Sequence, residues 1–317
     1  GDDARLPSYR IHLRTLNEAQ SAFLRDKVIV DFSDKDPGFD QLRSSLDNQR
    51  TKVLEISDWQ TSGLGGPTRA DRPYDGPEPT DFIDFMRNIG SPQDKEMGGG
   101  TYGYGKSTLW LNSQCGTICV HTSTRFQNGP VERFMACRVG STYDGEEKKH
   151  TGRHWWGRVA EDEIVDPLDG EEAASFAANL GMEGRPQGAS ESMGSTLMII
   201  DPDLGDRTPE QFIGLLKESL LWFFWPKMLD VNPATKMTFE VGLEGQLEGV
   251  ENPSRFAPLK LMVESYEKII AGRDSDCETI KWRQTPLGKI ATETGLVSER
   301  VDFKLEHSDE MMFPMRS

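Results

Sequence analysis

The sequence predicts an α+β fold, and three observations carry that expectation. Runs alternating apolar and polar residues, the mark of a half-buried strand, occur at 9–16, 52–58, 117–122 and 133–139. Helix-like runs stand among them, near 17–27, 39–46, 81–86 and 171–180, the last rich in alanine. The stretch from Gly98 to Gly105 fits neither pattern, because five glycines in eight positions favour backbone freedom over regular structure.

Taken in order, the strand at 9–16 leads into the first helix, and the second helix precedes the strand at 52–58. The two strands at 117–122 and 133–139 read as an antiparallel pair joined near Asn128, Gly129 and Pro130. Residues 185–193 form a polar linker into a strand at 194–200. At Thr208 the character changes: Thr208 and Pro209 make a strong helix start, and the apolar run from Phe212 to Trp225 is expected to be buried and to end at Pro226. A hairpin at 236–247, a helix at 259–271 and a strand at 300–305 complete the reading. The boundaries expected are therefore 1–206 and 207–317.

A chain of 317 residues is long enough for two packed regions with a real core. Its net charge of −16 argues against broad docking on nucleic acid. The most apolar run contains Lys217 and Glu218 and is too short to span a bilayer. Cys115, Cys119, Cys137 and Cys277 form no CxxC pair and read as reduced core thiols of a cytoplasmic protein. His150 and His154 are four apart, as zinc ligands on a helix would be, but Gly152 and Gly157 break the helix and Trp155 and Trp156 suit a packed hairpin. No metal site is expected there.

The glycine stretch invites a nucleotide reading, since backbone N–H groups freed of side chains can cradle phosphate oxygens, helped by a helix beginning at Ser107. Gly100 to Ser107 matches the P-loop pattern G-x-x-x-x-G-K-[ST]. A P-loop follows a buried strand, whereas residues 88–97 are polar and contain Pro92. A second glycine motif lies upstream: the strand at 52–58 delivers Asp58 into Trp59-Gln60-Thr61-Ser62-Gly63-Leu64-Gly65.

Strand, acid, then Gly-x-Gly resembles the first glycine box of the GHKL ATPases, the superfamily of gyrase B, heat-shock chaperones, histidine kinases and MutL proteins. Tyr102-Gly103-Tyr104-Gly105 resembles the second box in its chaperone and microrchidia form, and Gly194-Ser195-Thr196 resembles the last. The resemblance implies the Bergerat fold, a mixed sheet covered by helices on one face. It implies that Asp58 accepts a hydrogen bond from the adenine amino group and that Thr196 supports the adenine-side polar network. Gly63, Gly65, Gly100, Tyr102, Gly103, Tyr104 and Gly105 would wrap the phosphates, Lys106 and Ser107 would stand beside them, and residues 66–98 would be a mobile lid. ATP would be the ligand, with Mg2+ if a helix carrying a general-base Glu and a magnesium-binding Asn were supplied. Asn17 and Glu18 are adjacent rather than stacked on one face, so that helix is expected before Gly1. Hydrolysis by this chain is therefore left open.

The family implies an ATP-gated conformational switch with a protein partner or an ATP-dependent dimer, in DNA repair, restriction or phage defence. Region 207–317 could be a transducer, with Lys260, Lys281 and Lys289 as candidate phosphate contacts. The rival expectation is a non-hydrolysing interaction or scaffold module in which the glycine loop is only structural.

Overall fold

The computed structural model describes residues 6–32, 39–48, 50–88, 105–127, 129–144, 149–186, 188–231, 233–272 and 275–295. The chain divides into two units, one of Tyr9–Gly205 and one of Gly1–Ser8 with Asp206–Ser317.

The larger unit is α+β. Strand β1 (Ser8–Thr15) is followed by α1 (Glu18–Phe23), which Asn17 caps through a reciprocal pair of bonds with Gln20 and which runs into a π-turn over 24–28. Then come α2 (Phe39–Asp47), β2 (Lys52–Trp59), α3 (Asp81–Met86), α4 (Ser107–Leu111), β3 (Thr117–Phe126) and β4 (Gly129–Val139). Short strands follow: β5 (Tyr143–Asp144), β6 (Lys149–His150), β7 (Arg153–Trp156), β8 (Arg158–Val159), β9 (Val165–Asp166) and β10 (Leu168–Asp169). Helix α5 (Gly170–Asn179) and strand β11 (Gly194–Ile200) complete the unit. The sheet runs β10-β4-β3-β11-β2-β1, with β7 also paired to β4. Pairings from β2 through β11, β3 and β4 are antiparallel.

Alternation along these strands sorts their side chains onto two faces. Val53, Cys119, Phe134, Ala136, Met198 and Ile200 share a core with Leu42 and Leu46 of α2 and Ala173 and Ala177 of α5. Burying each large apolar side chain contributes about 1.5–3 kcal/mol. Cys115, Cys119 and Cys137 are buried free thiols, and burial pushes the Cys137 thiol up to about 12, so they are unreactive packing groups.

In the smaller unit, α6 (Pro209–Met228) begins at a capping box between Thr208 and Gln211. It does not stop at Pro226, as the sequence suggested, because only the final turn remains there and little helical bonding is lost. Nor is it buried throughout: Ile213, Leu220 and Leu221 are, whereas Phe223 is 54 % exposed. Apolar residues surround the helix, and Trp222, Phe224 and Trp225 pack against Phe256, Phe239 and Tyr266. Strands β12 (Thr238–Leu243) and β13 (Gln246–Gly249) form a hairpin, α7 (Lys260–Ala271) ends on left-handed Gly272, and β14 (Glu278–Trp282) and β15 (Thr285–Ile290) form a second hairpin that the sequence reading missed. Lys260 and Lys281 are exposed, and Lys289 reaches the Gly272 carbonyl at 3.5 Å. The strand expected at 300–305 lies outside the described residues. Among the described residues, no helix is long and apolar enough to cross a membrane.

Candidate functional site

The site is built where β2 ends between its neighbours. β2 pairs with β11 so that Ser57 stands opposite Thr196, and β11 pairs with β3 so that Ser195 stands opposite Thr122. Asp58 closes this ladder. Its Oδ2 accepts the Ser195 N–H at 3.2 Å and its Oδ1 accepts the Thr61 hydroxyl. Burial pushes the Asp58 carboxyl above the usual carboxylate range, while the Thr61 hydroxyl, the Arg185 charge and the Ser195 N–H pull the other way. An ionised carboxylate has about four acceptor positions, so two bonds leave room for an incoming donor.

The chain after Asp58 folds down onto the sheet. The Leu64 N–H donates to Thr122 Oγ1 at 2.9 Å, Thr124 Oγ1 donates to the Ser62 carbonyl at 2.7 Å, and Arg133 donates to the Leu64 and Gly66 carbonyls. Gly63 has φ +63°, and a Cβ there would collide with the Ser123 carbonyl oxygen. Close approach to β3 and a left-handed backbone thus both demand glycine. The Gly65 carbonyl accepts the Phe82 N–H at 2.9 Å, tying the turn to the start of α3. Asp58, Gly63 and Gly65 are therefore gathered at one end of β3 and β11.

Thr196 is in the same ladder but on the other face. Its hydroxyl lies 3.1 Å from the Ser57 hydroxyl and accepts from Arg185 Nη2 at 3.0 Å. On the Asp58 side the corresponding hydroxyl is Ser195, 2.9 Å from Thr122 Oγ1. Gly100, Tyr102, Gly103 and Tyr104 lie outside the described residues. Gly105 is exposed, and Lys106 caps α3: its ammonium donates to the Asp84 carbonyl and, at 2.6 Å, to the Asn88 carbonyl. Burial pulls the Lys106 ammonium below its usual range. Ser107 opens α4, whose five residues make it a weak source of dipole.

Sequence reasoning missed Arg185. Placed in a linker read as polar surface, it is 2 % exposed, with Nη1 on the Ser192 carbonyl at 3.0 Å, Nη2 on the Asp58 carbonyl at 2.8 Å, and its guanidinium 4.1 Å above the Trp59 ring. Burial brings this guanidinium down to about 10 despite the nearby carboxylates. Also missed was the buried pair His121 and Glu132, 2.7 Å apart, which extends the polar layer along β3 and β4. The only hint in the sequence was the run His121-Thr122-Ser123-Thr124 inside a strand with an apolar start.

The remaining candidates are structural. His154 lies in a stack of rings with Tyr143, Trp156 and Phe39. Trp156 Nε1 donates to the Val30 carbonyl and Trp155 Nε1 to the Met86 carbonyl, so the tandem tryptophans pack the hairpin inward. A cavity of about 670 Å³ opens beside them, away from Asp58, and Arg158 on its wall is held by Asp169 and Glu172. Among the described residues, no group of three or more His, Cys, Asp or Glu could hold a metal ion.

Compared with known proteins, the chain matches no protein-family model and no curated protein sequence.

Proposed function

We propose that the larger unit binds ATP in the manner of the GHKL ATPases, with Asp58 gripping adenine. The observation that carries this is a carboxylate at a strand end, wrapped by a glycine turn and seated on buried hydroxyls, with acceptor capacity left over. An ionised Asp58 accepts from the exocyclic amino group of adenine, and guanine lacks that donor at the same ring position, so the site discriminates by leaving its acceptor unpaired. Ser195 and Thr122 stand on the same face and would complete the polar contacts to the ring. Gly63 and Gly65 would let the nucleotide approach the backbone closely.

ATP acts in this reading as a conformational ligand: whatever it contacts beyond Asp58 differs between bound and free states, and that difference drives a switch in contacts with a protein partner or a second copy. The chain's own residues supply the adenine grip. Mg2+ and a water-activating acid would be needed for hydrolysis, and no cluster found among the described residues supplies a metal site. The DNA-repair, restriction or phage-defence setting is proposed on the resemblance alone.

The test is calorimetric titration of ATP and GTP into the wild-type protein and Asp58→Ala. Wild type is expected to bind ATP and to prefer it over GTP, and Asp58→Ala to lose affinity by roughly 100-fold or more. Equal affinity of both proteins for ATP would sink the reading, and absence of any ATP binding would favour the scaffold alternative.

A further inference from the structure

We propose that Arg185 is the positioning residue of this site: it locks the end of β2 to the start of β11 and supplies the countercharge that Asp58 needs to act as an acceptor. The proposal rests on the nucleotide reading for its purpose, but its geometry stands apart.

Arg185 lies 127 residues from Asp58 in sequence, yet its Nη2 bridges the Asp58 carbonyl on β2 and the Thr196 hydroxyl on β11. Nη1 holds the Ser192 carbonyl just ahead of β11. One planar fork therefore joins three segments, a task for which the rigid guanidinium suits better than an ammonium. The ring of Trp59 fixes the plane of the fork from one side, adding a cation–π contact. Gly194 completes the arrangement: its φ is +139°, and a Cβ there would crowd the Asp58 carbonyl oxygen and, at 2.9 Å, Arg185 Nη1. The backbone of β11 comes this close only because position 194 has no side chain.

The guanidinium is nearly free of solvent, so its charge acts on Asp58 through a weakly screening medium. The other charged or titratable groups around the pair are Tyr9 and Arg10 of β1, Glu183 of the loop after α5, and Glu132 of β4, which is bonded to His121 of β3. Arg10 is itself paired with Glu183. Arg185 is the cation that acts most directly on Asp58. Among the described residues its Nε has no partner, and its bonds are those of the two terminal nitrogens. A buried cation held for packing alone would be poorly chosen, since an apolar side chain of similar volume is often no less stable.

The experiment reads Asp58 directly. The carboxyl carbon of Asp58, assigned by its loss in Asp58→Asn, is titrated by NMR in ligand-free wild type, Arg185→Met and Arg185→Lys, and ATP affinity is measured across the same pH range. In Arg185→Met the Asp58 midpoint should move up by about one pH unit or more, and the acid limb of ATP binding should move with it. Affinity should recover at high pH, which loss of structure would not produce. Arg185→Lys, keeping the charge but not the fork, should hold a midpoint near wild type while weakening ATP binding at every pH. Should Arg185→Met fail to fold, Trp59→Leu unseats the guanidinium and predicts the same upward move. A folded Arg185→Met with an unmoved midpoint overturns the proposal. A moved midpoint in a wild-type background that never binds ATP leaves Arg185 in its role and removes the nucleotide reading instead.

Discussion

The two ends of strands β2, β3 and β11 are buried alike and built from opposite chemistry. At one end stand Val53, Leu54, Ile118, Cys119, Ile199 and Ile200; at the other stand Ser57, His121, Thr122, Ser123, Ser195 and Thr196, none more than 8 % exposed, with Asp58 closing the row. Apolar burial suffices to hold a sheet together. A polar end buried equally deep must satisfy each hydrogen-bonding group, and it contributes less stability for the same area. The chain keeps hydroxyls and charges at this end, bonded to one another, where leucines would contribute more stability for the same burial.

Substitution at the apolar end gives the largest expected effect. Ile200→Ala should lower unfolding free energy by about 2–5 kcal/mol in urea denaturation, while the folded fraction binds ATP as wild type does. A matching loss of ATP affinity would erase the distinction between the two ends.

At the polar end the prediction runs the other way. Because burial raises the folded-state value of Asp58, the native protein binds more protons than the unfolded chain between the ordinary aspartate value, about 4, and the raised one. Stability contributed by this group is therefore present at low pH and is lost as pH rises through that window. Asp58→Asn should abolish ATP binding and also remove that fall, so ligand-free stability measured from pH 4 to 8 should decline less than in wild type. An identical pH dependence would mean that Asp58 carries no such strain.

The smallest effect is expected at Lys106→Ala, which removes a cap on α3. Thermal denaturation should report a loss of about 0.3–1 kcal/mol, and ATP affinity should change by less than ~3-fold, as for a residue engaged with carbonyls rather than phosphate. A loss of 100-fold or more would favour the P-loop reading of this stretch.

Much of the fold was legible because period carries it. The alternation at 52–58 and the small-residue turn leading into an apolar run at 194–200 placed two central strands, and Thr208 with Pro209 placed the start of α6 to the residue. Position within a strand was harder. Ser195 and Thr196 differ by one residue, and in a pleated strand that step decides which face a hydroxyl occupies, so the one on the Asp58 side is Ser195. Arg185 was illegible for a different reason: its sequence neighbours Glu183, Gly184, Pro186 and Gln187 are those of surface loop, and only tertiary packing brings it over Trp59. The exposed β14–β15 hairpin carries no sustained alternation to announce it.

The bonds from Lys106 to Asp84 and Asn88 bring two points of the chain, eighteen residues apart at their nearer pair, to the same place. Each doubling of the chain length between two such points adds only about 0.6 kcal/mol to the entropy of closing the loop. The ammonium therefore ties the end of α3 to the start of α4 at a closure cost that hardly depends on how many residues lie between, and its removal frees both ends at once.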